Sequence, residues 1–375
     1  MQSVRVGVIG AGGIAQIEHI PNLLKLKHQF EILGVCDPSA QVRAFVVEQF
    51  GLAVFENVDQ LLALPLDAVV IASPDPLHRE QILAALARGL HVFCEKPLCY
   101  ASDDIDDVIA ARDRAGKVLQ VGYMKRFDPS YEAALKRMPG TAKTLRYVAV
   151  EVNDPDAWPF IRHHAWRRGE DIAPELIASV VKKQREQVAR AVAGPFDAVS
   201  FDGYVNAYCS SLVHDVNVVH GLLAGLGVPA GEIVGAQLFA NGEGGQGSVR
   251  LLEGRALLDM VHIKVPALAD YREHITFYFD DAVLELEFPS PWLNHQATRL
   301  TIKKSDGHSF VSEDIRSGYE EAFIEELKGF WSAIVEGKPV RNTAEQARID
   351  MQLLAGLAQW HCSHNQTTQK HGEGA

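Results

Sequence analysis

The sequence predicts an α/β protein: a doubly wound parallel sheet, followed by an α+β domain built on a large, mostly antiparallel open sheet. Three observations carry this prediction. Short, continuous apolar runs alternate with helical stretches over about the first 125 residues. Strands with alternating polar and apolar residues dominate the second half. The length of 375 residues exceeds one ordinary compact domain and suits about two.

The first domain is predicted over residues 1–125. Its strands are β-branched runs that end at glycine or polar residues, which is typical of strands buried on both faces. They are predicted at 4–10, 31–36, 67–73, 91–95 and 118–123, and helices at 41–50 and 78–89 lie between them.

The second domain is predicted over residues 126–345, and residues 346–375 are predicted to form a helix and a frayed tail. Strands are expected at 144–152 and then, in antiparallel style, at 232–240, 247–252, 255–265, 273–281, 282–288 and 298–304. Residues 155–200 are an irregular insertion with an amphipathic helix near 175–194, and closing helices are expected near 319–336 and 344–362.

Composition and charge exclude several classes of protein. The net charge of −12 argues against a nucleic-acid surface, which needs a basic face. No apolar run reaches the length of a membrane span, and the first residues enter a strand without a secretory leader. Five cysteines without a CxxC pair do not suggest disulfides or a zinc knuckle, so we expect a cytoplasmic protein.

The segment from Gly10 to Ala15, GAGGIA, fits the G-x-G-x-x-A fingerprint between a strand and a helix. Gly10 permits the tight turn and Gly12 the approach of a pyrophosphate, which the helix N-terminus favours. Gly10, Gly12, Gly13 and Ile14 are therefore predicted to contact a dinucleotide. A glycine-rich turn without a ligand is the alternative.

Asp37 stands 22 residues after Ala15, at the end of the second strand. A carboxylate there can accept hydrogen bonds from ribose hydroxyls and would repel a 2′-phosphate, so NAD is favoured over NADP. Arg43 lies nearby in the sequence and could tolerate a phosphate. Alternatively, Asp37 could cap the helix that begins near Ser39.

Lys96 follows the apolar strand at 91–95, where ligands of α/β sheets bind. Its ammonium group could stabilise negative charge on a substrate oxygen or transfer a proton. Pro97 would stiffen the turn that holds Glu95 and Lys96. A solvated surface lysine is the alternative.

The motifs GAGGIA, SPDPLH (73–78), EKP (95–97) and GYMKRFDPSY (122–131), with the closing segment EAFIEELKGFWSAIVEGKP, resemble the Gfo/Idh/MocA family of NAD(P)-dependent oxidoreductases. The resemblance implies an N-terminal Rossmann domain and a C-terminal domain whose open sheet often forms the oligomer interface, hence a homodimer or homotetramer. It also implies a sugar, sugar-nucleotide, inositol or related polyol substrate, and we expect a sugar, sugar acid or polyol-like compound. By position it assigns cofactor contacts to Ser73, His78, Glu95, Lys96 and Gln120, substrate contacts to Lys96 and Arg126, and catalysis to Lys96.

The segment SSLVHDVNVVH (210–220) matches the place where this family carries an aspartate and a histidine four residues apart. His214 falls on the catalytic histidine, and Ser210 stands where the aspartate is expected. Asp215 would point about 100° away from His214 on a helix, so it cannot simply replace that aspartate. Ser210, His214 and Asn217 are predicted to contact the substrate.

A metal site is an alternative interpretation of the same segment. His214 and His220 are six residues apart, which places them about 120° apart on a helix rather than at the i, i+4 spacing of a zinc helix. We therefore expect no metal there, and His220 is expected to serve packing. A core histidine is the alternative for His214.

The function predicted from these residues is hydride transfer between NAD and a secondary alcohol. His214 would accept the hydroxyl proton while Lys96 stabilises the developing alkoxide. Two alternatives stay open: a non-catalytic dinucleotide-binding sensor, favoured by the missing aspartate, and a redox-neutral enzyme with tightly held NAD.

A basic cluster lies inside the insertion, consisting of Arg162, His163, His164, Arg167 and Arg168. It could bind an anionic group of the substrate, such as a carboxylate or phosphate. A solvated loop or an inter-subunit contact is the alternative.

Overall fold

The computed structural model describes residues 3–193 and 197–369, with side chains described up to residue 364. The chain forms two compact units. Unit 1 comprises Met1–Met124, His163–Gln187 and Ala322–Ile349, and unit 2 comprises Lys125–Arg162, Val188–Glu321 and Asp350–Ala375. The sequence predicted domains that are continuous along the chain. The two units are instead interleaved, because residues 163–187 and 322–349 belong to the same unit as the N-terminal sheet.

Unit 1 is built on a six-stranded, all-parallel sheet. Its strands are β1 (Val4–Ile9), β2 (Phe30–Cys36), β3 (Val54–Phe55), β4 (Ala68–Ile71), β5 (His91–Glu95) and β6 (Leu119–Gly122). The order β3-β2-β1-β4-β5-β6 is that of a Rossmann fold, which confirms the predicted doubly wound sheet. The very short β3 lies outside the predicted strands.

The helices of the N-terminal region are α1 (Ile20–Lys25), which a π-helical turn at Ala15–His19 precedes, α2 (Ala40–Phe50), α3 (Val58–Leu62), α4 (His78–Ala87) and α5 (Ser102–Ala115). Local signals explain several of their ends. Ser39 caps α2 by accepting a hydrogen bond from the Val42 amide at 3.1 Å, and Gly51 ends it in the left-handed region.

The core of unit 1 contains residues of β1, of the N-terminal helices and of a helix late in the chain. Val6 and Val8 are fully buried beside Phe30 and Phe93, and Phe330 of α11 (Ala322–Val335) packs among them. The rings of Phe30 and Phe330 are stacked with centroids 6.5 Å apart. Burying each such side chain contributes about 1.5–3 kcal/mol to the stability of the folded state. Helix α11 is therefore part of the hydrophobic core of unit 1.

Unit 2 is built on an eight-stranded sheet in the order β14-β13-β12-β11-β7-β10-β9-β8. Its strands are β7 (Leu145–Asn153), β8 (Glu232–Leu238), β9 (Gly245–Leu251), β10 (Ala256–Ile263), β11 (Arg272–Phe279), β12 (Ala282–Phe288), β13 (Arg299–Ser305) and β14 (Phe310–Ile315). Only β7 and β10 pair in parallel within this described sheet. The prediction of a mostly antiparallel sheet is confirmed, and β14 was not predicted.

The remaining helices are α6 (Pro129–Lys136), α7 (Trp158–Ile161), α8 (Pro174–Val192), α9 (Ala198–Asp202), α10 (Val213–Gly225), α11 and α12 (Ala344–Gln369). A π-helical segment, Gly203–Leu212, runs directly into α10. The amphipathic helix predicted in the insertion is α8. Helix α12 continues to Gln369 and takes in part of the stretch expected to be frayed, and residues 370–375 of that stretch lie outside the described residues.

Across the described ranges, every helix is too short or too polar to pass through a lipid bilayer.

Candidate active site

The glycine loop after β1 leaves a cradle open to a ligand. Gly10 has a φ of +88°, and a Cβ there would lie 2.6 Å from backbone atoms of Ser73, so only glycine fits this turn. A Cβ on Gly12 or Gly13 would meet nothing within 4 Å. The loop therefore approaches β4 closely on one side and is open on the other, which suits the pyrophosphate of a dinucleotide.

Asp37 organises this loop from the end of β2. Its Oδ2 accepts a hydrogen bond from the Ala11 amide and its Oδ1 from the Ser39 amide, both at 2.9 Å. Burial raises the pKa of Asp37, although these amides and Arg43 oppose the shift. Ser39, rather than Asp37, supplies the side-chain cap of α2, so the capping alternative for Asp37 does not account for its position.

Arg43 lies beside Asp37 without pairing with its carboxylate. Its guanidinium donates to the backbone oxygens of Asp37 and Pro38, at 2.8 Å each. This keeps a positive charge next to the place where an adenosine ribose would bind.

Glu95 ends β5 and holds the turn that carries Lys96. Its Oε1 lies 2.7 Å from His19 Nε2, and its Oε2 accepts a hydrogen bond from the Lys96 amide at 3.1 Å. Burial raises the pKa of Glu95, but the hydrogen bond and charge of His19, together with Lys96, outweigh burial, so that the pKa lies below its usual value. The carboxylate is thus anionic, and it fixes the backbone of Lys96.

His78 ties together the turns that follow β4 and β5. Its Nδ1 lies 2.9 Å from the Pro97 carbonyl oxygen and its Nε2 lies 2.9 Å from the Ser73 carbonyl oxygen. The Ser73 hydroxyl donates to Gln81 at 2.6 Å. These predicted cofactor-contacting residues are therefore also parts of the scaffold that shapes the edge of the sheet.

Gln120 and Glu326 complete the buried polar layer of unit 1. The Gln120 amide donates to the Glu326 carbonyl oxygen at 2.8 Å. Burial and the nearby Glu95 and Glu18 raise the pKa of Glu326 well above its usual value. Neither carboxyl oxygen of Glu326 has a hydrogen-bond partner, so this side chain is held neutral.

Within the described residues, His19, Glu95 and Glu326 have donor atoms that lie within 4.8 Å of one another. Two ligands of one zinc ion, at about 2.1 Å from the metal, would stand roughly 3.3 Å apart. The 2.7 Å between His19 Nε2 and Glu95 Oε1 is a hydrogen bond instead. We therefore interpret His19 and Glu95 as a hydrogen-bonded pair beside Glu326 and not as ligands of a metal.

In unit 2, the segment singled out around His214 spans the junction of a π-helical segment and α10. Ser210 is exposed, His214 is half-buried and Asp215 is fully buried. The change from half-buried to buried between adjacent residues fits the 100° turn expected from helical geometry. Asp215 thus faces the interior of its unit.

Asp215 lies near a buried charged cluster formed by Lys125, Tyr271 and Glu273, of which Glu273 is on β11. Lys125 and Tyr271 both donate hydrogen bonds to the Oε2 atom of Glu273, and Lys125 and Glu273 are almost completely buried. Burial lowers the pKa of Lys125, but Glu273 and Asp215 outweigh it and raise the pKa. Burial and the charge of Glu273 raise the pKa of Asp215 well above its usual value. The surroundings thus favour the charged form of Lys125, which pairs with Glu273, and the neutral form of Asp215.

Arg126 and Asn217, both predicted to contact substrate, are committed to contacts within unit 2. The Nε and Nη2 atoms of Arg126 donate hydrogen bonds to the backbone carbonyl oxygen of Asn217, at 2.8 and 2.6 Å. The Asn217 amide donates to Asp350 at 2.7 Å, and His220 Nδ1 lies 2.6 Å from the other oxygen of Asp350. His220, which is expected to serve packing, is half-buried beside Asp350. Substrate contacts of Arg126 and Asn217 stay predictions.

The predicted site residues thus fall into two groups, one in each unit. Unit 1 contains the ten positions Gly10, Gly12, Gly13, Ile14, Asp37, Ser73, His78, Glu95, Lys96 and Gln120, and unit 2 contains Arg126, Ser210, His214 and Asn217. The basic cluster of the insertion is divided as well, since Arg162 belongs to unit 2 and the other four members belong to unit 1.

Buried polar residues that support these groups were not among the residues predicted from the sequence. Glu273 shares the buried face of β11 with Ile275 and Phe277, and Glu326 lies on the apolar face of α11 with Leu327 and Phe330. A charged residue at an inward position of an otherwise apolar pattern is the signal that could have found them.

A doubly wound sheet with an open glycine cradle defines a dinucleotide-binding fold. Residues 4–123 match the family model described as "Oxidoreductase family, NAD-binding Rossmann fold", GFO_IDH_MocA. Over these residues, about a third of the chain, the sequence is similar to the NAD-binding Rossmann domain of the Gfo/Idh/MocA oxidoreductases.

Curated relatives match part of the chain. Inositol 2-dehydrogenase 3 of Saccharopolyspora erythraea is 39% identical over 131 residues, which cover 34% of this chain and 38% of the relative. Inositol 2-dehydrogenase of Rubrobacter xylanophilus is 32% identical over 182 residues, which cover 48% of each. The chain spans less than half the length of the curated relatives it matches.

Solved structures share the fold along nearly the whole chain. UDP-N-acetylglucosamine 3-dehydrogenase GnnA from Acidithiobacillus ferrooxidans has a TM-score of 0.69 at 20% identity, and the match covers 97% of this chain and 99% of that one. KijD10, a 3-ketoreductase from Actinomadura kijaniata solved with NADP and TDP-benzene, has a TM-score of 0.71 at 19% identity, covering 96% and 98%. At this identity the likeness concerns the fold alone.

Proposed function

We propose that the protein is an NAD-dependent oxidoreductase that transfers hydride between the nicotinamide and a secondary alcohol or ketone of a sugar, sugar-acid or polyol-like substrate. The observation that carries this proposal is the open cradle at Gly12 and Gly13, next to the strand end where Glu95 holds Lys96. The similarity to proteins named inositol 2-dehydrogenase supports a polyol-like substrate.

The residues of the chain would bind and orient the substrate and exchange a proton with its hydroxyl group. The bound nicotinamide supplies the site that accepts or donates hydride. Lys96, whose backbone Glu95 fixes, would stabilise negative charge developing on the substrate oxygen. His214, half-buried at the start of α10, would accept the hydroxyl proton. Ser210 is uncharged, so it could offer only a hydrogen bond in place of the aspartate expected there.

For the cofactor, we propose NAD in preference to NADP. Asp37 directs its carboxylate at the loop through the amides of Ala11 and Ser39, and its remaining lone pairs could accept bonds from ribose hydroxyls. A 2′-phosphate would meet this carboxylate at short range. Arg43, which donates to backbone oxygens, would have to turn in order to compensate.

The test of the catalytic pair is single-turnover hydride transfer, followed at 340 nm with NAD and a panel of inositols, sugars and sugar acids. Lys96→Met and His214→Ala should each slow the step by about 10²–10⁴-fold. His308→Ala, at an exposed residue of unit 2, serves as the control and should leave the rate unchanged. Unchanged rates in both catalytic variants would remove the pair from the mechanism, and bound NAD without turnover on any substrate would favour a sensor.

We also propose that the open face of the eight-stranded sheet forms a homo-oligomer contact. Tyr278 on β11 is 40% exposed, and its ring lies 5.7 Å from that of Tyr147 on β7. Aromatic side chains on an exposed sheet face are typical of interfaces. Light scattering on the wild-type protein and on Tyr278→Asp tests this, since the substitution should shift the protein towards the monomer.

A further inference from the structure

The insertion contains a segment that packs directly on the dinucleotide-binding loop. We call residues 167–171, Arg-Arg-Gly-Glu-Asp, the strap. The strap lies inside His163–Gln187, which belongs to unit 1. Its contacts are with Gln16, Ser39 and Gln41, three residues that flank the glycine cradle and Asp37. Residues 163–187 of the insertion are therefore part of the unit that contains the glycine loop.

The first end of the strap pairs with the helix that follows the glycine loop. The Arg167 amide donates to Gln16 Oε1 at 2.7 Å, and Gln16 Nε2 donates to the Arg167 carbonyl oxygen at 2.9 Å. The same Nε2 donates to the Ala11 carbonyl oxygen at 2.5 Å. Gln16 is almost fully buried. One side chain thus joins the strap backbone to the loop expected to bind the pyrophosphate.

The second end of the strap closes on the start of α2. The Ser39 hydroxyl donates to Asp171 Oδ1, and the Gln41 amide donates to Asp171 Oδ2 at 3.1 Å. The hydrogen bond from Ser39 lowers the pKa of Asp171, so the carboxylate is charged at neutral pH. A carboxylate at the N-terminus of a helix is also favoured by the helix dipole.

Gly169 lets the middle of the strap approach α2 closely. A Cβ at this position would lie 2.6 Å from the Ser39 hydroxyl oxygen and 3.3 Å from a methyl carbon of Val42. Any larger residue would lift the strap from the helix.

The carboxylate of Asp171 adds negative charge near Asp37. Ser39 bonds to both carboxylates, because its amide donates to Asp37 and its hydroxyl donates to Asp171. The charge of Asp171 also contributes to raising the pKa of Asp37, after burial as the main cause. A ribose 2′-hydroxyl can donate to such a site, whereas a 2′-phosphate would meet two negative charges.

Helix α8 anchors the other side of the same segment. Gln184 donates to the Tyr100 hydroxyl at 2.8 Å, and Gln187 donates to the Pro76 carbonyl oxygen at 3.0 Å. Both partners follow strands whose ends form the ligand-binding edge of the sheet. Helix α8 thus fixes one side of the segment, and the strap is bonded on its other side to Gln16, Ser39 and Gln41.

We propose that the strap closes over the adenosine side of the dinucleotide, with Asp171 as its latch, so that Asp171 both slows release of the cofactor and discriminates against a 2′-phosphate. This inference rests on the dinucleotide binding proposed above. It assigns a cofactor-retaining and specificity-determining role to a residue of the insertion.

The experiment compares Asp171→Ala and Asp171→Asn with Glu170→Ala, a matched removal of a neighbouring exposed carboxylate whose side chain lies outside these contacts. Stopped-flow fluorescence measures the dissociation rate of NADH, and calorimetry measures the affinities for NAD and NADP. Asp171→Ala should release NADH about tenfold faster and reduce the preference for NAD about tenfold, as expected for loss of a charge-assisted hydrogen bond. Asp171→Asn keeps an acceptor for Ser39, so it should change mainly the preference. Glu170→Ala should stay within about twofold of wild type.

Limited digestion with trypsin supplies a second readout, because Arg167 and Arg168 are exposed and offer cleavage sites in the strap. NADH should protect these sites in the wild-type protein and not in Asp171→Ala. If Asp171→Ala matches Glu170→Ala in release rate, preference and protection, the inference is overturned while the proposed function stands. If the wild-type protein binds neither NAD nor NADP, the proposed function fails, and the inference fails with it.

Discussion

His19 Nε2 lies 2.7 Å from Glu95 Oε1, a contact that joins the helix after the glycine loop to the turn that carries Lys96. Both side chains are buried, and the ring of His19 meets that of Phe93 edge-on at 5.4 Å. A hydrogen bond between two buried side chains fixes their relative position. The glycine loop and the strand-end lysine are thus held in register by one hydrogen bond.

Gly10→Ala should destabilise the protein, because the residue has positive φ and its Cβ would clash with the backbone of Ser73. A cost of about 2 kcal/mol or more in the free energy of unfolding is expected. Gly12→Ala is the control for size, since its Cβ would meet nothing. It should fold normally and still weaken NADH binding. Urea unfolding and NADH fluorescence measure the two effects, and equal stability of both variants would contradict the reasoning.

Glu326→Gln should remove one pH-dependent part of the stability. The pKa of Glu326 is raised in the folded protein above the ordinary 4.5, so above that pH the folded state binds more protons than the unfolded state. Its contribution to stability therefore falls as the pH rises, by up to about 1.4 kcal/mol per pH unit. The gap between Glu326→Gln and wild type should widen from pH 5 to pH 7 in favour of the variant. Glu325→Gln, a half-exposed neighbour paired with Lys328, should follow wild type, and a constant gap for Glu326→Gln would refute the prediction.

Glu273→Gln should be strongly destabilising, because it leaves the buried ammonium of Lys125 without its carboxylate. Breaking a buried pair in this way typically costs about 3–5 kcal/mol. The same substitution at Glu285, which pairs with Lys303 at 2.7 Å across two strands near the surface, should cost about 1 kcal/mol or less. Urea unfolding of the two variants at pH 7 provides the comparison. A similar loss in both would mean that burial does not set the cost.

The stability losses caused by substituting Asn217 and Asp350 should be non-additive in a double-mutant cycle. Asn217→Ala and Asp350→Ala each leave a buried polar group without its partner, at a cost of about 1–3 kcal/mol. The double variant should lose less than the sum of the two single losses. Steady-state kinetics tests the substrate role in parallel. If Asn217→Ala raises KM while Asp350→Ala leaves it unchanged, Asn217 contacts the substrate in addition to its structural bond.

Local patterns determined much of what is described. The turn at Gly10 needs glycine because of its φ and its distance to Ser73, both consequences of a strand that turns directly into a helix. The alternation of continuous apolar runs with helices indicated the parallel sheet, because strands buried on both faces carry few polar residues. The position of Lys96 directly after the apolar strand β5 predicted that it lies at the ligand-binding edge of the sheet.

Only the tertiary structure decided what surrounds these residues. The bonds that link Asp171 to Ser39 and Arg167 to Gln16 join positions more than 130 residues apart, and no periodicity or spacing in the sequence encodes such a pairing. The same holds for Glu273 with Lys125 and for Glu326 beside Glu95. Hydrophobic pattern specifies which face of an element is buried, but the partner across the core depends on how distant elements pack.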